Sequence, residues 1–179
     1  MIPKYIEEKA EEILRVTGQK SAPIDILKCA KYLGVEVEEA ELEEDIFGLL
    51  VIKNKLPLII VNSKGHNDNR QRFTIAHELG HFLLHSRDTS FFIDKGEILT
   101  CRRTSDNNFE EAKEKEANDF AVSILLPDRL IEREALSAPQ ESRFNILPYL
   151  SNKFQVDESP LGIKLSHLGL LEYGFSSHL

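Results

Sequence analysis

Two histidines four residues apart, with a glutamate directly after the first, constrain the fold of this 179-residue chain more than any other feature. In an α-helix, residues four apart lie about 40° apart around the axis and one turn apart along it. His77 and His81 can therefore both reach one metal ion, while Glu78 projects beside that ion and can take a proton from a water molecule. The competing interpretation is that both histidines are ordinary helix residues facing a carboxylate. The pattern favours a metal helix with hydrolytic chemistry.

Gly80 lies inside the same predicted helix, where a glycine costs roughly 1 kcal/mol of stability relative to alanine. A glycine at this position allows the backbone of another element to come very close. We therefore expect close packing against the metal helix at Gly80.

A catalytic zinc site takes three protein ligands and keeps its fourth position for water. His85 continues the spacing of four residues, but it lies about 12 Å along the helix axis from His77, which is too far for all three rings to share one ion. His85 is expected either to bind substrate or support the metal ligands, or to be a partly exposed residue at the helix end. The spacing leaves both alternatives open.

The third ligand is expected from a helix predicted over residues 109–126. Glu116 lies at the edge of its apolar face, and a carboxylate held against the core needs a partner such as a metal. The other glutamates of this stretch are more easily interpreted as solvated: Glu110, Glu111 and Glu114. The spacing therefore favours Glu116 as the third ligand, with a salt-bridged Glu116 as the alternative.

The hydrophobic periodicity predicts an α+β fold. Two short β-forming runs, 46–52 and 57–62, predict a hairpin, an earlier strand begins near Val35, and another is expected around residues 98–102. Helices are predicted over residues 4–17, 23–34, 68–85 and 109–126, then two or three short helices broken by Pro139, Pro148 and Pro160. These elements predict a small antiparallel sheet packed against a metal helix and a glutamate helix.

Charge and cysteine content disfavour several classes of function. The formal net charge is −8 and the isoelectric point is near 5.3, whereas proteins that bind nucleic acid by neutralising phosphates are basic. The 2 cysteines are too few for a disulfide framework or a cysteine-rich zinc site. No apolar run approaches the roughly 20 residues of a membrane-spanning helix, and the charged start lacks the apolar stretch of a signal peptide. We expect a cytoplasmic protein with neither a nucleic acid nor a membrane partner.

The residues from Arg70 to His85 resemble the signature of the ImmA/IrrE family of zinc metallopeptidases. The segment Glu116-Ala117-Asn118 and the later Leu125-Leu126-Pro127 resemble its second signature. The resemblance implies a zincin-like domain, placed here at residues 1–130, followed by a short C-terminal helical segment at residues 131–179. We expect the form of the family without an N-terminal DNA-binding domain.

The resemblance also implies which residues act. Zinc would be bound by His77, His81 and Glu116, and Glu78 would be the catalytic base. The implied substrate is a regulatory protein, above all a helix-turn-helix repressor, whose cleavage switches gene expression in a stress, phage or mobile-element context. The oligomeric state is left open.

A second class of function stays open beside the peptidase. The chain could be a non-catalytic, zinc-stabilised regulator that binds a repressor or antitoxin partner, although a purely structural metal site has no use for Glu78. Among the neighbouring residues, Asp119 is expected to support a metal ligand. Arg70 and Arg72 are expected to form salt bridges to carboxylates.

Overall fold

The structure, a computed structural model, describes residues 2–64, 67–86, 91–95 and 107–170. The strands are β1 (Glu36–Ala40), β2 (Ile46–Lys53), β3 (Leu56–Asn62) and β4 (Phe91–Lys95). The helices are α1 (Lys4–Val16), α2 (Ile26–Tyr32), α3 (Asp68–His85), α4 (Asn107–Leu125), α5 (Asp128–Leu136), α6 (Gln140–Arg143), α7 (Ile146–Phe154) and α8 (Glu158–His167). The predicted α+β class is confirmed. Among the described residues, no helix is both long and apolar enough to cross a membrane.

The N-terminal helices follow their hydrophobic pattern closely. α1 buries the predicted stripe of four apolar residues: Ile6, Ala10, Ile13 and Leu14. The predicted start of the second helix at residue 23 is wrong, because the Asp25 side chain accepts a hydrogen bond from the backbone N–H of Lys28 and caps α2. α2 therefore begins at Ile26, with Cys29 fully buried on its inner face.

The sheet has the order β1-β3-β2-β4. The predicted hairpin is confirmed: β2 and β3 pair antiparallel, and Asn54 and Lys55 turn with φ of 53° and 66°. The sheet is not purely antiparallel, however, because β1 runs parallel to β3. The connection after β1 reverses the chain, so β1 and β2 point in opposite directions with β3 between them. β1 consequently points the same way as β3.

The Asn62 side chain holds this connection in place. Its Oδ1 accepts from the backbone N–H groups of Leu42 and Lys64, and its Nδ2 donates to the carbonyls of Glu43 and Ile46. A buried amide with all these partners fixes the loop between β1 and β2 at the end of β3. The β1–β3 register follows from that contact.

β4 is not among the strands that the sequence pattern predicts. It pairs antiparallel with β2, with a register shift between Ile46 and Gly48. The strand expected around residues 98–102 lies outside the described residues. β2 therefore lies between β3 and β4 and is a central strand of the sheet.

α3 and α4 pack together at Gly80, as predicted. A Cβ atom placed on Gly80 would lie 2.9 Å from the Cα atom and 3.0 Å from the carbonyl oxygen of Ala117. Real Cβ atoms do not approach backbone atoms so closely, so glycine is required at this crossing. The contact fixes which face of α4 is turned toward the predicted metal helix.

Up to residue 170, where the described residues end, the C-terminal part contains four helices rather than two or three. Pro148 and Pro160 do not break α7 and α8, because each is the third residue of its helix, where the missing N–H has no helical partner to lose. Leu150 and Phe154 of α7 belong to the same buried cluster as Ile6 of α1. The division at residue 130 stays a prediction.

Within the described ranges, the two arginines at the start of α3 contact groups other than the carboxylates predicted for them. Arg72 donates to the carbonyl oxygens of Ile24 and Gln155, at 2.7 and 3.2 Å. The Arg70 guanidinium stacks 4.0 Å from the centre of the Phe47 ring. Both therefore join α3 to neighbouring segments.

Candidate metal centre

The two histidines of the metal helix converge on one point. α3 begins at an Asn67 cap and continues through both residues, so His77 and His81 lie one turn apart on the same face. Their Nε2 atoms are 3.0 Å apart, and both side chains are buried. One small cation between these two nitrogens would touch both.

The third member of the cluster is Glu114 of α4. Its Oε2 lies 3.2 Å from Nε2 of His77 and its Oε1 lies 3.3 Å from Nε2 of His81. Among the described residues, His77, His81 and Glu114 form a group whose donor atoms all lie within 4.8 Å of one another and could hold a metal ion. The prediction that Glu114 is a solvated glutamate is therefore wrong, because Glu114 belongs to this cluster.

The structure does not bring Glu116 into this cluster. Positions 114 and 116 lie about 200° apart around a helix, so only one of them can face the two histidines. Glu116 instead meets His85 and Tyr5, at 3.0 and 2.6 Å. The close contact between Gly80 and Ala117 turns the Ala117 face of α4 toward α3. Around the helix, position 114 lies about 60° from position 117 and position 116 lies about 100° from it, so Glu114 is nearer to the face that meets the histidines.

A sequence signal for Glu114 did exist. Gly80 was predicted to allow close packing, and Ala117 is a small residue suited to such a crossing. Glu114 is three residues before Ala117 and therefore shares its face. The apolar neighbours of Glu116 favour that residue as the ligand. The shared face with the small residue Ala117, which can pack against Gly80, favours Glu114.

The outer nitrogen of His77 is held by Asn118. Nδ1 of His77 lies 3.1 Å from Oδ1 of Asn118, an atom that can only accept, so the proton of a neutral His77 ring is on Nδ1 and the lone pair is on Nε2. Asp119, which was expected to give this support, instead pairs with Lys115 at 2.6 Å. Asn118 lies four residues after Glu114 and so on the same face of α4.

The outer nitrogen of His81 meets another histidine. Nδ1 of His81 lies 3.2 Å from Nδ1 of His85, and the two rings are tilted by 57°. His85 is buried. This excludes the alternative, left open by the sequence, that His85 is a partly exposed residue at the helix end. It lies behind His81, away from the point where the two Nε2 atoms meet.

The electrostatics of the cluster fit a cation. Burial lowers the pKa of His81 to about 4, so this ring is neutral at pH 7. Burial alone would raise the pKa of Glu114, but hydrogen bonding to the two histidines outweighs it and holds the pKa well below its usual range. The Glu114 carboxylate and the Nε2 atoms of the two rings lie 3.0 to 3.3 Å from one another, so a cation placed among them would contact all three residues. The donor set is of the kind that binds zinc and similar metals.

Glu78 is fully buried, and its side chain lies close to β2 of the sheet. A Cβ atom placed on Gly48 of β2 would lie 3.7 Å from Cγ of Glu78 and 2.4 Å from Cγ2 of Thr74. Glycine in β2 therefore makes room for the Glu78 side chain. Glu78 is not part of the His-His-Glu group.

An α+β domain with two histidines four residues apart on one helix, and a glutamate on the helix packed against it, has the donor pattern of the H-E-x-x-H metallopeptidases. The family model described as the IrrE N-terminal-like domain, peptidase family M78, matches residues 30–166. The chain belongs to this family, so the resemblance noted in the sequence is confirmed.

Two curated relatives support the assignment. The chain is 32% identical over 113 residues to metallopeptidase ImmA of Bacillus subtilis (strain 168), covering 63% of this chain and 59% of ImmA. It is 30% identical over 104 residues to uncharacterized immunity region protein 2 of Bacillus phage phi105, covering 58% and 60%. The match thus spans about three fifths of each relative's length.

A solved structure shares the fold. A Mycobacterium tuberculosis transcriptional regulator superposes with a TM-score of 0.63 at 16% identity, covering 92% of this chain and 48% of that one. At this identity the likeness shows the fold alone.

Proposed function

We propose that this chain is a zinc-dependent endopeptidase in which His77, His81 and Glu114 bind the metal and Glu78 is the general base. The observation that supports this most directly is the convergence of two imidazole Nε2 atoms and one carboxylate within 3.0 to 3.3 Å of one another. Three ligands of this type leave a fourth zinc position open, as catalytic zinc sites do. When bound, zinc would supply a Lewis acid for the scissile carbonyl and for the attacking water.

The protein's own residues would do the rest. Asn118 keeps the proton of His77 on the far side of the ring. Glu78 follows His77 on α3 and lies outside the ligand group, so its carboxylate is available to take a proton from the attacking water and pass it to the leaving amine. Its complete burial, in a space that Gly48 leaves open, lowers the local dielectric around that proton transfer.

We further propose that the substrate is a cytoplasmic regulatory protein, above all a helix-turn-helix repressor. One relative is a metallopeptidase, and another is named for the immunity region of a phage. A peptidase that removes a repressor is a switch for gene expression in such a setting. The net charge of −8 argues against direct action on nucleic acid.

The test is co-expression with the repressor-like protein encoded nearest to this gene, comparing the unmodified chain with Glu78→Gln. The substitution is nearly isosteric and removes only the proton acceptor, so the variant should fold, retain zinc and bind the repressor. Cleavage should fall by about 10²- to 10⁴-fold, because that is the usual contribution of a general base.

Fragment size and reporter output are measured together, and Glu111→Gln, an exposed change on α4, is the matched control. If Glu78→Gln gives full derepression and neither protein yields a fragment, the chain is a regulator that acts by binding.

A further inference from the structure

A chain of hydrogen bonds leads from the metal cluster to the first helix. Nδ1 of His81 meets Nδ1 of His85 at 3.2 Å, and Nε2 of His85 meets Oε2 of Glu116 at 3.0 Å. The other oxygen of Glu116, Oε1, accepts from the hydroxyl of Tyr5 at 2.6 Å. We call His85, Glu116 and Tyr5 the outer triad; it joins α3, α4 and α1.

The donor and acceptor roles along this chain of hydrogen bonds follow from the Glu116 carboxylate, which lies between Tyr5 and His85. An ionised carboxylate can only accept, so Tyr5 donates its O–H and His85 donates its Nε2–H to Glu116. In the tautomer with its proton on Nε2, His85 presents a lone pair at Nδ1 and accepts there. His81 therefore carries its proton on Nδ1, and its Nε2 lone pair is directed at the metal position.

We propose that the outer triad is a positioning device that fixes the tautomer and ring orientation of His81 for metal binding, and that Tyr5 makes this support depend on α1. The inference rests on the proposed metal site, and it assigns to Glu116 a role different from that of a ligand. Outer partners of metal-bound histidines act in this way, and their loss usually lowers metal affinity by about 10- to 100-fold.

The geometry distinguishes this role from simple filling of space. His85 is buried, yet both of its ring nitrogens lie within hydrogen-bonding distance of a polar partner. The Tyr5 side chain is 45% exposed, so its hydroxyl does not need Glu116 in order to be hydrogen-bonded. The hydrogen bond from Tyr5 to Glu116 is short although water could compete for it. Glu116 is therefore held as an acceptor from two sides, by Tyr5 and by His85.

The experiment measures zinc affinity by competition with a chromophoric chelator, using protein loaded with one equivalent of zinc. Glu116→Gln should bind zinc about 10- to 100-fold more weakly, because the neutral amide has one oxygen for two donors, and its NH₂ group reverses the proton order wherever it faces His85. Tyr5→Phe removes one hydrogen bond and should cost about 2- to 10-fold. Glu111→Gln and Tyr32→Phe, both exposed, are the matched controls and should leave affinity unchanged.

Two variants at His85 separate hydrogen bonding from packing. His85→Leu keeps volume but breaks the chain, and should lose affinity as Glu116→Gln does. His85→Gln can accept from His81 through its oxygen and donate to Glu116 through its nitrogen, and should recover most of the affinity. If His85→Leu binds zinc as tightly as the unmodified chain, the ring only fills space.

The tautomers give a readout independent of affinity. Long-range ¹H–¹⁵N correlation spectra of the zinc-loaded protein should show His81 protonated on Nδ1 and His85 protonated on Nε2. Glu116→Gln should reverse or mix the His85 assignment. If Glu116→Gln and His85→Leu both bind zinc as tightly as the unmodified chain, the positioning role is overturned while the metal site stands. If the unmodified chain binds no zinc, the proposed function itself fails.

Discussion

Glu114 and Glu116 lie two residues apart on the same helix, and each meets a histidine of α3, yet their surroundings differ. Glu114 bridges the facing nitrogens of two buried histidines, whereas Glu116 joins one histidine to a partly exposed tyrosine. Partial burial would raise the pKa of Glu116, but hydrogen bonds from Tyr5 and His85 lower it. The comparison shows that the rotation of α4, and not the carboxylate's own neighbours in sequence, determines which glutamate faces the two histidines.

The first prediction exchanges the two carboxylates for amides one at a time. Glu114→Gln should lose its metal during dialysis, because a neutral amide replaces the only anionic ligand of the cluster. Glu116→Gln should retain one zinc per chain at high protein concentration, with the weaker affinity argued above. Metal content is measured by atomic emission on freshly purified protein. The reverse result, metal kept without Glu114 and lost without Glu116, would restore the ligand set expected from the sequence.

The second prediction concerns the stability of the metal-free protein at low pH. His81 has a folded pKa of about 4, below the unfolded value of roughly 6.5, so between these values the unfolded chain binds more protons. Stability should therefore be full above about pH 6.5 and fall as the pH drops toward 4, by something on the order of 3 kcal/mol. The low pKa of Glu114 acts in the same direction at lower pH.

Urea unfolding of chelator-treated protein across this range measures the effect. His81→Gln should flatten the profile, and the exposed His167→Gln should not. An unchanged slope in His81→Gln would mean that another group causes the acid sensitivity.

The third prediction disturbs the contact that orients α4. Gly80→Ala gains roughly 1 kcal/mol in helix propensity, but its Cβ would meet the Ala117 backbone at 2.9 Å, and such overpacking costs about 1–3 kcal/mol. We expect a net loss of stability and weaker zinc binding, because the helices must separate at the level of Glu114.

Gly162→Ala in α8 is the control for Gly80→Ala. The new methyl group there would meet only Cδ1 of Leu147, at 3.9 Å, so the propensity gain should appear as a small rise in Tm. Equal stabilisation by both substitutions would show that the Gly80 crossing is loose.

The sequence was most informative where a feature depends on one segment alone. The spacing of His77 and His81, the stripe on α1 and the β2–β3 hairpin are local, and their patterns predict the observed elements. The third ligand depends on how two distant helices rotate against each other, and the parallel β1 depends on a loop held by Asn62. Such features follow from tertiary contacts, so a helix-face argument within α4 alone could not separate Glu114 from Glu116.

The smallest expected effect concerns Asn118 and Asp119, which are adjacent on α4 and contact different partners. Asn118 accepts from the outer nitrogen of His77, while Asp119 pairs with the exposed Lys115. Asn118→Ala should weaken zinc binding by about tenfold, at the lower end of the usual range, because Asn118 is exposed and water can replace its oxygen.

Two further substitutions complete that test, measured by the same chelator competition. Asn118→Asp keeps an acceptor at the same position and should bind zinc at least as well as the unmodified chain, since a carboxylate is the stronger acceptor. Asp119→Asn should have no effect, because a surface pair of this kind contributes little and does not reach the cluster. The opposite result would be weaker binding in Asp119→Asn and unchanged binding in Asn118→Ala. Asp119 would then support His77, as the sequence favours, and α4 would be rotated relative to the structure.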